Sequence, residues 1–386
     1  MLKKLSLAAL VAMGSMSVAS AATPLEQAIK NVSLSGFLRL RFYNEQPKDS
    51  NQYDRWRTNG VLIFNVPVAE NISFVMRNSV ESNVYTDEDS ITNEATSIDT
   101  GIVNNLLFAK YSNGPVNAII GKIPVATSVT SADPATPGHG AGVIATYTVN
   151  ENFTVGAAFV DALKNPGDNS GLGVKVGNDI YAAVALFNVG PVKGNVWYYN
   201  VTNAVDYIVT GSFDVTPIEN IDVHGDIAFG NLDDDLADTL GVDDDTKTYY
   251  NIAATFKNEG MCAKIGYAYT DENAAPVELS VDAPIGAVIT TANNYNIANL
   301  RDTSSFYGKL GYQVDPKTNI YFAMQIQDAG SDSANSSNDL SEYTFGASYA
   351  VNKKLKLSGY YDIADWDSDA DYEDNKELRL EAKYSF

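Results

Sequence analysis

Ionic side chains that recur on alternate residues are the part of this sequence equipped to do chemistry. The arginines are few and grouped: Arg39 with Arg41, Arg55 with Arg57, then Arg77 and Arg379, with Arg301 apart. A spacing of two puts both members of a pair on one face of an extended segment. Guanidinium groups are permanent cations with planar hydrogen-bond donors, so a row of them facing water can sort ions, hold oxyanions and orient dipolar solutes. The acidic counterparts are Asp206, and Asp222 with Asp226 on either side of His224. Covalent chemistry has little to work with, because the chain has two His, one Cys and no G-x-S-x-G elbow, phosphate-binding Gly loop or HExxH. These residue types point to passage of solutes and not to an enzyme.

The faces that carry these charges are strands. Leu378, Leu380, Ala382, Tyr384 and Phe386 alternate with Glu377, Arg379, Glu381, Lys383 and Ser385, and Ile320 to Gln327 and Glu342 to Tyr349 repeat the split. Period two over segments of roughly ten residues is the signature of half-buried strands. About 18 such segments follow one another, the first near Leu34 to Tyr43 and the last ending at Phe386. Short turns, such as Ser112 to Pro115, Val189 to Pro191 and Val351 to Lys354, alternate with mostly longer, polar and acidic connections, such as Thr86 to Thr100, Asp271 to Thr303 and Trp366 to Asn375. A soluble β-sandwich would share the alternation. Some 18 hairpin strands without helix, long loops at one end and aromatics at both ends of the apolar faces instead predict an all-β fold. It is a transmembrane antiparallel β-barrel with short periplasmic turns and long extracellular loops.

Composition agrees. The chain has 386 residues, 45% of them hydrophobic, with 23 Tyr, 15 Phe and 28 Gly, and a net charge of −22 that excludes nucleic acid as a partner. One Cys excludes a disulfide framework and a Cys-based zinc site. Residues 1–22 read as a secretory signal peptide: Lys3 and Lys4, an apolar core from Leu5 to Met13, then small residues to Ala22. No later stretch approaches the roughly 18 apolar residues of a spanning helix. The barrel is expected over 23–386.

Closing the barrel brings the last strand beside the first, so Arg39, Arg41, Arg55, Arg57, Arg77 and Arg379 are expected to form one contiguous pore-lining basic wall. Placing them on the lipid face would cost about 2–4 kcal/mol each near the midplane. Asp206, Asp222 and Asp226 are expected on the opposite wall as its acidic counterpart. Residues 123–142, rich in Pro and Gly and nearly uncharged, are the candidate inward constriction loop, with Asp133 and His139 as its titratable members. Two acidic runs, Asp233 to Asp245 and Asp365 to Asp374, read as solvated loops that attract cations; in the second, Ala370 and Lys376 replace the Gly and Glu of an EF-hand. No cofactor is expected, and the metal site is left unknown, with loose divalent binding open.

Thr23-Pro24-Leu25-Glu26-Gln27-Ala28-Ile29-Lys30, then Ser35-Gly36-Phe37-Leu38-Arg39-Leu40-Arg41-Phe42, and the closing Leu380-Glu381-Ala382-Lys383-Tyr384-Ser385-Phe386 resemble the major outer membrane porins of Campylobacter-type bacteria. The resemblance implies an 18-stranded homotrimeric porin of the bacterial cell outer membrane, weakly cation-selective, with an inward loop in each pore and calcium binding. It also implies contact with outer-membrane lipid and lipopolysaccharide, and a terminal Phe386 read by the barrel-assembly machinery. Small hydrophilic solutes would diffuse through; a surface adhesin, a structural outer-membrane protein or a solute-specific channel are the rival readings.

Overall fold

The structure is a computed structural model and describes residues 31–386 except 50, 88–101, 134–136, 165–177, 241–244, 274, 281–282, 287–288, 294, 331–338 and 368–372. The signal segment and the Thr23–Lys30 motif therefore lie outside the described residues. The strands run in chain order as β1 (Ser33–Pro47), β2 (Tyr53–Ala69), β3 (Ile72–Asp87), β4 (Ile102–Asn113), β5 (Val116–Pro124) and β6 (His139–Asn150). Next come β7 (Phe153–Lys164), β8 (Ile180–Val189), β9 (Val192–Val201), β10 (Val205–Ile218), β11 (Ile221–Leu232) and β12 (Thr246–Asn258). The last are β13 (Met261–Thr270), β14 (Thr303–Asp315), β15 (Thr318–Ala329), β16 (Leu340–Ala350), β17 (Leu355–Trp366) and β18 (Asn375–Ser385).

Each strand pairs antiparallel with its successor, and β18 pairs with β1 from Phe37 opposite Ser385 to Pro47 opposite Asn375. The sheet of 18 strands thus closes, leaving no unpaired edge. Beyond the last strand, Phe386 and Gly36 exchange N–H···O bonds of 3.1 Å, which extends the seam to the chain terminus. Phase along β1 is decided by exposure. Leu38 and Leu40 are each 54% exposed on the outer surface, whereas Arg39 is 6% exposed and faces inward. The outer face is apolar, with Trp56, Phe229, Tyr250 and Tyr267 toward the long-loop ends and Tyr147, Phe256, Tyr312 and Tyr349 toward the short turns. That distribution is the two-girdle pattern of a barrel in a bilayer.

Several strands outrun the expected ten residues: β1 has 15, β2 has 17 and β3 has 16. Their extra residues extend hairpins past the apolar band, where both faces are polar and no alternation marks them. Tight turns are made where a left-handed residue is available, as at Gly190 (φ 58°) between β8 and β9 and Asn220 (φ 69°) between β10 and β11. At the long-loop end, β9 and β10 are joined by residues 202–204 alone. The acidic run after β11 is partly helical: α1 (Asp234–Leu240) starts at Asp233, whose Oδ1 accepts the Leu236 N–H at 3.3 Å, with Asp234 and Asp235 in the first turn. Those carboxylates are where a helix N-terminus favours them, so residues 233–240 of the run form a capped turn of helix.

Candidate functional site

Two long loops fold into the barrel. In the β5–β6 loop, Val125 and Val129 are buried with Ile123, Tyr199 and Ile208 in an apolar cluster. Ser128 Oγ hydrogen-bonds the Tyr199 hydroxyl at 2.8 Å and the Thr210 hydroxyl at 2.7 Å, which fastens this loop to β9 and β10. Ser, Thr and short apolar residues suit such a path, because each polar backbone group inside must find a partner. Val129 O accepts the Leu279 N–H at 2.7 Å and Ser128 O accepts the Ile285 N–H at 3.0 Å, so the β13–β14 loop docks directly on it.

The β13–β14 loop then runs along the inner wall from β11 to β17. The backbone of Pro276 comes so close to Gly230 that a Cβ there would stand 1.9 Å from the Pro276 carbonyl oxygen. Lys247 Nζ donates to the carbonyls of Leu300 at 2.5 Å and Asn299 at 3.3 Å. Asn293 donates its side-chain amide to Asp362 (2.8 Å) and its N–H to Glu342 (3.0 Å), the Ala292 N–H reaches Thr344 (2.9 Å), and Tyr295 meets Trp366 edge-on. This second inward loop was missed in the sequence, where 271–303 reads as a polar acidic connection. The available signal is the apolar stretch Ala283-Pro284-Ile285-Gly286-Ala287-Val288-Ile289, too apolar for a solvated loop.

The arginines of the expected wall lie on the inner faces of β18, β1, β2 and β3. Arg41 faces Arg57 and Glu381, Tyr43 faces Arg55 and Arg379, and Arg39 faces Asn59 and Lys383 across the strand pairs. Arg77 is buried on β3, and Asp133 of the β5–β6 loop acts electrostatically on both Arg77 and Arg39. Carboxylates that the sequence reading did not single out are interleaved with the cations. Arg41 Nε is 2.6 Å from Glu381, Arg55 is 2.7 Å from Glu45, and Arg57 is 2.7 Å from Glu81. Arg39 donates two hydrogen bonds to Asn59 Oδ1. The Tyr43 ring separates two further cations, with Arg55 at 4.2 Å and Arg379 at 5.9 Å from its centroid. The expected basic wall is therefore an ion-paired wall, because Glu45, Glu81 and Glu381 share the phase of the arginines and neutralise them locally.

The expected acidic wall does not assemble. Asp226 is inward and 5% exposed, but it accepts from Ser212 (2.5 Å) and Asn251 (3.2 Å) and contacts His224 Nε2 (2.7 Å), so its charge is matched in place. Asp222 stands at the short-turn rim, paired with Lys257 at 2.8 Å. Asp206 is exposed on the wall itself: a bulge between Val205 and Tyr207 takes it out of the inward phase, and Val205 and Ile208 face inward in its stead. A single extra residue reverses the face. His139 also departs from expectation, as it is the first residue of β6, 7% exposed, with its Nδ1–H donating to the Pro137 carbonyl at 3.1 Å. Among the described residues, no group of three or more His, Cys, Asp or Glu is arranged to hold a metal ion. The 365–374 run lies partly outside those residues, and its described end serves as a tie. Asp374 accepts from Lys48 Nζ (2.7 Å) and from the Trp366 N–H (2.8 Å), which hold its carboxyl below the usual carboxylate range.

A closed 18-stranded barrel with inward loops over an ion-paired wall matches one known family along the whole sequence. The family model described as Campylobacter major outer membrane protein matches residues 1–386. The chain belongs to this family. No curated protein matches the sequence at a significant level. Among solved structures, OccK5 (OpdH) of Pseudomonas aeruginosa is similar at 14% identity and a TM-score of 0.71, covering 92% of this chain and 98% of that one. OccAB1 of Acinetobacter baumannii is similar at 11% identity and a TM-score of 0.72, covering 92% and 97%. At such identities the likeness is one of fold. The Campylobacter major outer membrane protein family and this architecture together make the protein an outer-membrane barrel of the porin type.

Proposed function

We propose that this member of the Campylobacter major outer membrane protein family is a passive diffusion channel for small hydrophilic solutes and ions, weakly cation-selective, and that no reaction is catalysed in it. The observation that carries the reading is the ion-paired wall on the inner faces of β18, β1, β2 and β3, where paired cations and carboxylates face the lumen. Charged side chains held at fixed positions over water favour polar solutes, whereas an apolar solute would displace oriented water. Acidic loops at the long-loop end, in a chain of net charge −22, support a cation preference by concentrating cations at the mouth.

The same reading takes the long-loop end as extracellular, residues 1–22 as the export signal and the assembly as a homotrimer in lipid and lipopolysaccharide. The terminal Phe386, paired to Gly36 at the seam, suits recognition by the barrel-assembly machinery. Planar-bilayer recordings of the refolded protein test the proposal. Non-saturating KCl conductance in triplet steps, with a reversal potential that moves further toward potassium in the Arg39→Ala, Arg41→Ala variant, is expected. Absence of conductance from a folded, heat-modifiable protein would overturn it.

A further inference from the structure

On the inner face near the short turns, β14 to β18 shape a hollow of about 430 Å³ that shares Arg379 with the wall just described. Lys309, Lys356 and Arg379 converge on it, with Tyr321 and Tyr360 as its flat sides and Ser358 between them. The register explains the hollow. Tyr321 stands opposite Gly346 and Gly346 opposite Tyr360, which in turn faces Arg379. The Tyr321 ring lies down on Gly346, where an added Cβ would come within 2.2 Å of its Cζ. That posture opens the space above and lets Lys309 Nζ sit 4.0 Å over the ring. Arg379 Cζ sits 4.4 Å over Tyr360 in the same manner.

What sets these cations apart is that, among the described residues, none has a carboxylate within ion-pair distance. Arg41, Arg55 and Arg57 each hold an acid within 4 Å, but among the described residues Lys309, Lys356 and Arg379 form no ion pair. The carboxylates nearest Arg379 in the strand are engaged elsewhere: Glu377 accepts the Tyr360 hydroxyl and Glu381 takes Arg41. Lys309 and Lys356 line the same hollow as like charges, and Lys264 and Lys383 extend the positive field on either side as the cross-strand partners of Lys309 and Lys356. In a chain with 26 basic against 48 acidic residues, three cations without an ion-pair partner around one hollow are not an average of composition. Aromatic faces and lysine stems orient them, and their mutual repulsion is relieved when a negative charge enters.

We propose that this hollow is an anion-binding subsite on the permeation path, taking a small multivalent oxyanion. Two ammonium groups and one guanidinium around a space of this size suit a phosphate group or a compact dicarboxylate. The subsite rests on the channel reading for its place on a path, and it adds a stage where an anion pauses inside a channel whose mouth favours cations.

The test is current recording at low ionic strength, where screening is weak, with orthophosphate or succinate titrated into the chamber on the short-turn side, beside calorimetric titration of the detergent-solubilised protein with the same salts. Saturable current reduction and saturable heat with orthophosphate alone identify a phosphate ligand, with succinate alone a carboxylate ligand, and with both a general oxyanion site. The Lys309→Gln, Lys356→Gln variant raises the half-saturating concentration by at least about tenfold, and Lys309→Arg, Lys356→Arg keeps it near the original value. Equal response of wild type and the double Gln variant, or linear response to both salts, overturns the subsite. Since KCl conductance is recorded first and calorimetry needs no current, failure of the channel and failure of the subsite are separately visible.

Discussion

Glu381 and Arg41 lie 2.6 Å apart on neighbouring strands, each about 15% exposed, and their pairing governs how much charge this part of the lumen shows. Replacing Glu381 with Gln keeps the shape and frees one positive charge, so the reversal potential under a KCl gradient should move toward chloride. Arg41→Gln should move it toward potassium. Loss of the charge-assisted bond should also lower stability in urea by about 2 kcal/mol. The arginine positions were legible because inward phase follows from period two and from the cost of a cation in lipid. Their partners were not, although Glu45, Glu81 and Glu381 share that phase, because sequence spacing along one strand does not give the register between strands. Arg41 meets Glu381 only once β1 and β18 close.

At the scale of elements, the β13–β14 loop is held by a close approach that tolerates no side chain at Gly230. Gly230→Val should push Pro276 off the wall, costing about 1–3 kcal/mol, with larger single-channel conductance as the readout of a displaced loop. The loops at the rim are tied by charge. Asp374, between Lys48 and the Trp366 N–H, has a carboxyl depressed in the folded state, so its contribution is present above the unfolded value of about 4 and is lost as pH falls below it. Hydrogen-exchange protection at Lys48 and Asp49, relative to the intrinsic rate at each pH, should hold from neutral pH down to about 4 and fall only below that. Asp206 shows why element boundaries deceive. It was expected in the lumen phase of its strand, and as the extra residue between Val205 and Tyr207 it leaves that phase. Bulges leave no reliable mark in a sequence where both neighbours are apolar or aromatic.

For the molecule as a whole, closure is the decisive event, since 18 strands acquire full backbone pairing only when β18 meets β1. Deleting Phe386 removes the last reciprocal pair of bonds to Gly36 and the ring contact with Tyr384. The expected result is a smaller folded, heat-modifiable fraction in refolding gels, with unaltered conductance from the molecules that do close. Strand number and turn rhythm were readable because turns are chemically marked and alternation is physically forced by a bilayer outside and water inside. Of the loops inside the lumen, 123–142 was marked by its Pro, Gly and scarcity of charge, whereas 271–303 was not, because a loop that folds inward obeys neither period.

The chain's single thiol, Cys262, is partly exposed and sits opposite Gly311 at the border of the cationic hollow. Its reaction rate is therefore a local voltmeter. Negatively charged methanethiosulfonates should modify it faster than positively charged ones of the same size, and the ratio of the two rates should collapse toward unity in molar salt. No engineered cysteine is required, so the electric potential inside an unmodified barrel can be read by mass spectrometry of a timed labelling reaction.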